Sequence, residues 1–485
     1  MEKYSLWKKD LPNKEENRLE KEESVDVLII GGGMTGMSCC YHLMDCGLKV
    51  MLVEANKIGE GVTSKTTAKL TFLQQDIYSK IAKATDQPTA KLYYESQKEA
   101  ISIVKDIIDT NHISCNLEKT EAYTFTNDVN HISRLKEEAD LLKSFSEDVF
   151  QSTRLPNDTP CKYAIGVSDT YVFHPLKYLY GLKEIFRKRK IPIYENTRIL
   201  TIDKEDDFYL CKSNRAWIRA KNVVLALHYP YFLLPYMMPI KVQLEKSYVG
   251  ASKVENDLKF HAISIDRPVK SMRYYSDGDT HYQIFLYGSR NISMNVCDKE
   301  HFELLKFFPF SYEYIWSNID ILTGDSLPLI GKIEDHLFLA TGYNTWGMTN
   351  GSLAGKMIAD FILGKRNPYQ KIFDPKRINL GTVTQVPIVL GSNVKAYTSA
   401  KMFPDKNWYP KNLKIMKRNG KSVGIYTDSC GSRHTVYTTC PHMGCGLIFN
   451  EVEHTWDCPC HGSRFDLDGK VIEGPSNYSI SYKEE

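Results

Sequence analysis

Residues 25–54 read VDVLIIGGGMTGMSCCYHLMDCGLKVMLVE, and no other stretch restricts the fold of this chain so tightly. Val25 to Ile30 is nearly all apolar, as a strand covered on both faces must be. Gly31, Gly33 and Gly36 then satisfy G-x-G-x-x-G at a strand-to-helix turn. The first allows the tight turn, the second lets a pyrophosphate approach the backbone, and the third lets helix pack on strand. The helix N-terminus offers free N–H groups and a positive dipole end to the phosphates. Gly47 ends the helix, Val50 to Val53 forms a second buried strand, and Glu54 follows eighteen positions after Gly36. An acid there accepts hydrogen bonds from ribose hydroxyls. The unit therefore binds a dinucleotide, and the fingerprint does not distinguish NAD from FAD. No second fingerprint for a nicotinamide occurs, which favours one resident dinucleotide reduced directly by a substrate.

At 485 residues the chain exceeds one ordinary core, so two or three domains are expected. A net charge of +3 argues for no nucleic-acid partner. Residues 1–24 form a charged arm without the apolar run of a secretory signal. No stretch reaches the ~18 apolar residues of a membrane span. The nearest, YPYFLLPYMMPI, is broken by Pro230, Pro235 and Pro239, so a cytoplasmic location is expected. In that compartment twelve cysteines are not a disulfide framework. Eight are scattered and read as inert buried thiols; the other four crowd into TTCPHMGCGLIFNEVEHTWDCPCHGSRF.

That stretch arranges its ligand-type residues as C-x-H (Cys440, His442) and C-x-x-H (Cys458, His461), with fifteen residues between the pairs. A zinc finger pairs two cysteines in one loop and two histidines on a helix. Here each loop supplies one of each, which suits two adjacent metals, one taking both thiolates and the other both imidazoles. A Rieske [2Fe–2S] centre has that arrangement. His454 and Trp456, between the loops, read as structural.

CPHMGC, CPCHGS and the later GPS resemble the Rieske loops over residues 400–485. The resemblance implies that Cys445 and Cys460 join the loops in a disulfide and that Ser463 donates to a cluster sulfur. Many high-potential Rieske proteins have tyrosine where this chain has Phe465, which implies a lower potential here. Residues 25–375 resemble the D-amino-acid oxidase superfamily of FAD oxidoreductases, to which glycine and sarcosine oxidases belong. The likeness rests on the fingerprint, the strand VVLAL, the segment GVTSKTTAKLT and the turn GYNTWGMT. It implies that Gly31, Gly33, Gly36 and Glu54 hold the ADP half, with Ala226 nearby. Thr66, Thr67, Ala68 and Lys69 would then wrap the pyrophosphate, and Trp346, Gly347, Met348 and Thr349 would border the isoalloxazine.

The expected architecture is an α/β FAD-binding Rossmann-type domain with an interleaved α+β substrate domain (25–375). A linker (376–399) and a small all-β Rieske domain (400–485) follow. The resemblances together imply oxidation of a small substrate, an amine or amino acid, by FAD. Electrons then pass singly through the [2Fe–2S] cluster to a carrier protein or other acceptor. A reductase fed by ferredoxin and a non-catalytic redox sensor are the alternatives. A Rieske oxygenase is disfavoured, since no D-x-x-H-x-x-x-x-H segment for mononuclear iron occurs. The carboxylate-binding arginine of glycine-oxidase relatives has no counterpart in WSNIDILTGDSLP. Arg273 and Trp346 stand as catalytic candidates, and an ion pair would account for Arg273 equally well. The aromatic stretch HYPYFLLPYMMPI reads as pocket wall or core packing.

Overall fold

The computed structural model describes residues 4–9, 17–229, 241–291, 305–306, 311–379, parts of 381–397 and 410–483. The stretch 230–240, with most of the aromatic segment, lies outside the described residues.

The βαβ unit forms as its pattern dictates: strand Glu23–Ile30, helix Met34–Leu43, strand Val50–Val53. Its two strands pair in parallel, with Ile30 opposite Val53. Gly36 lies so close beneath the turn that a Cβ there would stand 1.9 Å from the Gly31 carbonyl oxygen, so only glycine packs. Gly31 has φ +114°, a second reason for glycine at the turn. Strands Trp217–Leu225 and Leu337–Thr341 continue the parallel sheet on one side and Ile193–Tyr194 on the other. Helix Gly347–Ile362 packs on helix Met34–Leu43, where Ser38 donates to the Ser352 carbonyl at 2.7 Å.

The second layer is a nine-stranded, mostly antiparallel sheet that starts at one edge with Tyr314–Thr323 and Val242–Val254. These two strands pair continuously, from Val242 opposite Thr323 to Ala251 opposite Tyr314. Helix Gln87–Asn111 turns an apolar face with Tyr93, Ala100, Val104 and Ile107 onto the main core, as its spacing predicts. The charged arm is anchored: Trp7 is fully buried and its indole N–H donates to the Thr66 carbonyl at 2.7 Å. The described residues within 381–397 are helical.

The C-terminal part is all β, with a three-stranded and a four-stranded sheet around Trp456, Phe465, Val436 and Tyr426. It rests on the outer face of the strand pair Val242–Val254 and Tyr314–Thr323 through a buried charge network. Lys246 Nζ lies 3.0 Å from both Glu453 and Asp457, and Arg464 reaches the same two carboxylates at 2.8 and 3.2 Å. Ser317 donates to Glu453 at 2.7 Å, and Lys65 pairs with Glu473. Burial alone would raise both acids, but Arg464 and Lys246 more than offset it and hold both carboxyls below their usual range. Among the described residues, no helix is long and apolar enough to cross a membrane.

A charge removed from such a network leaves its partners buried and uncompensated. Lys246→Met is therefore expected to cost about 3–5 kcal/mol of docking free energy. Thermal unfolding followed separately in the two domains checks this: signals that melt together in the native protein should separate. Coincident, unshifted melting would show that the network does not hold the domains.

Candidate functional site

A cavity of about 350 Å³ runs between the two layers, from the fingerprint turn to the outer sheet edge. Gly31, Gly33, Glu54, Thr66, Thr67, Lys69, Ala226, Trp346, Gly347 and Met348 all line it, as the sequence predicts. Gly36 lies beneath the turn and acts through packing. Ala68 and Thr349 are not on the wall. Ala68 is buried in the cluster around Trp7, and Thr349 sits behind the wall, bonded to the Gln74 amide at 3.2 Å.

Arg273 also departs from expectation. It is fully buried, and its guanidinium donates to the carbonyls of Thr67, Ala68, Phe173 and Tyr274. It lies off the cavity wall and over the Trp7 ring at 5.2 Å, so it braces the 66–69 loop from behind. No acid among the described residues pairs with it. Trp346 is on the wall and remains the aromatic border of the cavity.

Glu54 accepts from the N–H of Gly32 at 2.7 Å and of Asn56 at 2.8 Å, which locks the turn and leaves lone pairs toward the cavity. Thr63, missed in the sequence, places its hydroxyl 3.2 Å from the Met34 N–H at the helix start. Lys69 is buried with its ammonium on the Ala262 carbonyl and the Ser271 hydroxyl. Burial and the nearby Arg273 push it down to about 7. At the opposite end, burial and the adjacent Glu245 push Asp320 up to about 7. Sequence spacing carried no signal for Glu245 and Asp320, because strand register alone brings them together.

The second site gathers Cys440, His442, Cys458 and His461. Both cysteine loops turn alike, with Gly444 N–H on the Cys440 carbonyl and Gly462 N–H on that of Cys458. The two thiols hydrogen-bond to each other, and the two imidazoles stand edge to face at 5.1 Å. The hydrogen bond from Cys458, with the N–H groups of His442 and Met443 and the Ser463 hydroxyl, draws Cys440 down to about 7. Burial lowers both histidines, His461 to about 4, so each offers a neutral lone pair. The hydrogen bond with Cys440, with burial, raises Cys458, so one thiol of the pair is poised to ionise. Two cysteines with two neutral imidazoles are the donor types that a mixed iron–sulfur centre requires. Cys445 and Cys460 are disulfide-bonded across the loops. Ser463 is fully buried and held by the Ser476 N–H at 3.0 Å, so the GPS loop aims its hydroxyl. His454 lies in a turn with its ring 5.9 Å from Tyr426, away from the four donors.

The two sites adjoin. A smaller cavity of about 140 Å³ is walled by Gly31, Glu54, His228 and Tyr229 on one side and by His461, Gly462 and Glu473 on the other. The Tyr229 and His461 rings are 5.8 Å apart.

Known proteins show the same two parts. Residues 26–361 match the family model described as FAD dependent oxidoreductase, and residues 399–482 the model described as Rieske [2Fe-2S] domain. The chain is 33% identical to YhfW of Bacillus subtilis, named as a Rieske 2Fe-2S iron-sulfur protein, over 94% of this chain and 93% of that one. It is 22% identical to gamma-glutamylputrescine oxidoreductase of Escherichia coli, over 71% and 85%. Glycine oxidase from Geobacillus kaustophilus shares the fold, with a TM-score of 0.62 at 16% identity, covering 73% of this chain and all but 1% of that chain's length (99%).

A hydroxyl that donates to a cluster sulfur stabilises the more negative, reduced state. Ser463→Ala is expected to lower the reduction potential with the cluster still loaded, as a redox titration read by electron paramagnetic resonance would show. An unchanged potential would remove Ser463 from that role.

Proposed function

The chain belongs to the FAD-dependent oxidoreductase family and ends in a Rieske [2Fe–2S] domain, and from that premise we propose that it oxidises a small amine or amino acid and releases the electrons singly to an external carrier. Bound FAD supplies two-electron oxidation and the Rieske cluster one-electron exchange. The observation that carries the reading is the wall shared by the two sites, where His461 faces Tyr229 beside the fingerprint turn.

The chain's own residues divide the work. The Gly31–Gly36 turn and the helix start at Met34 receive the phosphates, and Glu54 receives the ribose. Trp346, Gly347 and Met348 border the reacting end and help exclude water. Cys440, His442, Cys458 and His461 hold the cluster, and the Cys445–Cys460 disulfide ties the two loops into one frame. Lys246 and Arg464 keep that frame docked. Relatives named for gamma-glutamylputrescine and for glycine support an amine or amino-acid substrate. The unpaired cysteines among the described residues support a reducing, cytoplasmic setting.

Anaerobic mixing with amines and N-methylated amino acids tests the proposal. A substrate should bleach the flavin and then bring up the reduced-cluster resonance in the same sample. If no such compound bleaches the flavin while reduced ferredoxin does, the electrons run inward and the proposal fails.

A further inference from the structure

We propose that the cavity face built by Glu245, Ser247, Asn318 and Asp320 binds the ammonium group of a cationic amine, so that the substrate is not an acid held by its carboxylate. This rests on reading the cavity as the substrate site.

The four residues form a square. Glu245 stands opposite Asp320 and Ser247 opposite Asn318 across one antiparallel pair, so all four share a face, and all four line the cavity. Like charges directly opposite are destabilising, and such a pair calls for a cation between or beside them. Within the square the Asn318 amide donates to Asp320 at 3.1 Å, which leaves its carbonyl oxygen as an acceptor. That oxygen and the Ser247 hydroxyl have no hydrogen-bond partner, although Asn318 is 6% and Ser247 3% exposed. Buried polar atoms are ordinarily satisfied, so these two await a donor. Two carboxylates, an amide oxygen and a hydroxyl make a set that accepts and asks for N–H groups. An oxidised isoalloxazine ring offers one N–H, too few to satisfy them.

The cavity's cations are engaged elsewhere. Lys69 is bonded to Ala262 and Ser271, Lys65 to Glu473, and Lys80 to Asp76 at 2.7 Å. Arg267 is the one arginine on the wall among the described residues; it reaches Glu245 at 3.3 Å from a side chain that is 61% exposed. Asp320 has no lysine or arginine partner among the described residues. An ammonium donates three N–H bonds and matches this face, whereas a carboxylate would meet two like charges.

Titration of the oxidised, cluster-loaded protein without oxygen tests this, with butylamine, diaminobutane, glycine and propionate as probes. The readouts are perturbation of the flavin absorption bands and the shift in unfolding temperature. Both amines should bind at least about tenfold more tightly than glycine or propionate, and Asp320→Asn should weaken the amines by about tenfold or more. Glu245→Gln should weaken them in the same direction, and Asp320→Arg should reverse the preference toward propionate. Equal or tighter binding of the acids, or amine binding indifferent to both neutral variants, overturns the inference. Flavin reduction by amino acids and not by amines would sink this inference alone; no reduction by either class would sink the underlying reading of the cavity.

Discussion

A cluster of four charges, Lys246 and Arg464 buried and two acids half-buried, determines where one half of this molecule sits on the other. Lys246 belongs to the larger domain, and Glu453, Asp457 and Arg464 to the smaller. Arg464 faces Glu453, Asp457 and, at 3.9 Å, Glu473, so the smaller domain alone keeps excess acid that Lys246 and Lys65 of the larger domain compensate. Removing charges from water is costly, and the cost is recovered only with every partner in place. The network thus gives one docked arrangement a strong advantage over sliding alternatives. In that arrangement the His461 ring meets Tyr229, and the iron-binding loops close over the dinucleotide turn.

The large cavity is electrically graded along its length. Its inner end has the start of helix Met34–Leu43, whose free N–H groups suit phosphate. Its outer end has Glu245 and Asp320, the latter raised by burial and by the neighbouring Glu245. With the ligand proposed above, an anionic cofactor and a cationic ligand would be sorted to opposite ends without any moving part. The orphaned oxygens of Ser247 and Asn318 sharpen that sorting, because they add acceptors where the field is already negative.

Features set by neighbours in sequence were legible before the fold was seen. The strand, turn and helix of residues 25–54 follow from glycine placement and apolar runs, and the structure extends the first strand only to Glu23. The convergence of Cys440, His442, Cys458 and His461 was legible because metal chemistry demands particular spacings within short loops. What was hidden depends on distant partners. Arg273 reads as a catalytic candidate or an ion-pair partner until Thr67, Ala68 and Phe173 present their carbonyls to it. Nothing within the charged arm signals that the Trp7 N–H donates to the Thr66 carbonyl and pins the arm. Ala68 and Thr349 sit within the right motifs, but backbone direction turns them off the wall. The Glu245–Asp320 pair exists only through the register of two strands far apart in the chain.

That same register has a further consequence. Along Val242–Val254 and Tyr314–Thr323, alternate residues serve different clients: Glu245, Ser247, Asn318 and Asp320 look inward, while Lys246 and Ser317 look toward the iron-binding module. Pleating ties the two sets together, because a slip by one residue turns every side chain over. An insertion or deletion within Val242–Val254 would turn Lys246 toward the cavity and Glu245 toward the acidic seam. The cavity face and the domain seam in this protein are therefore inherited as a single unit, free to vary by substitution but not by a change of strand length.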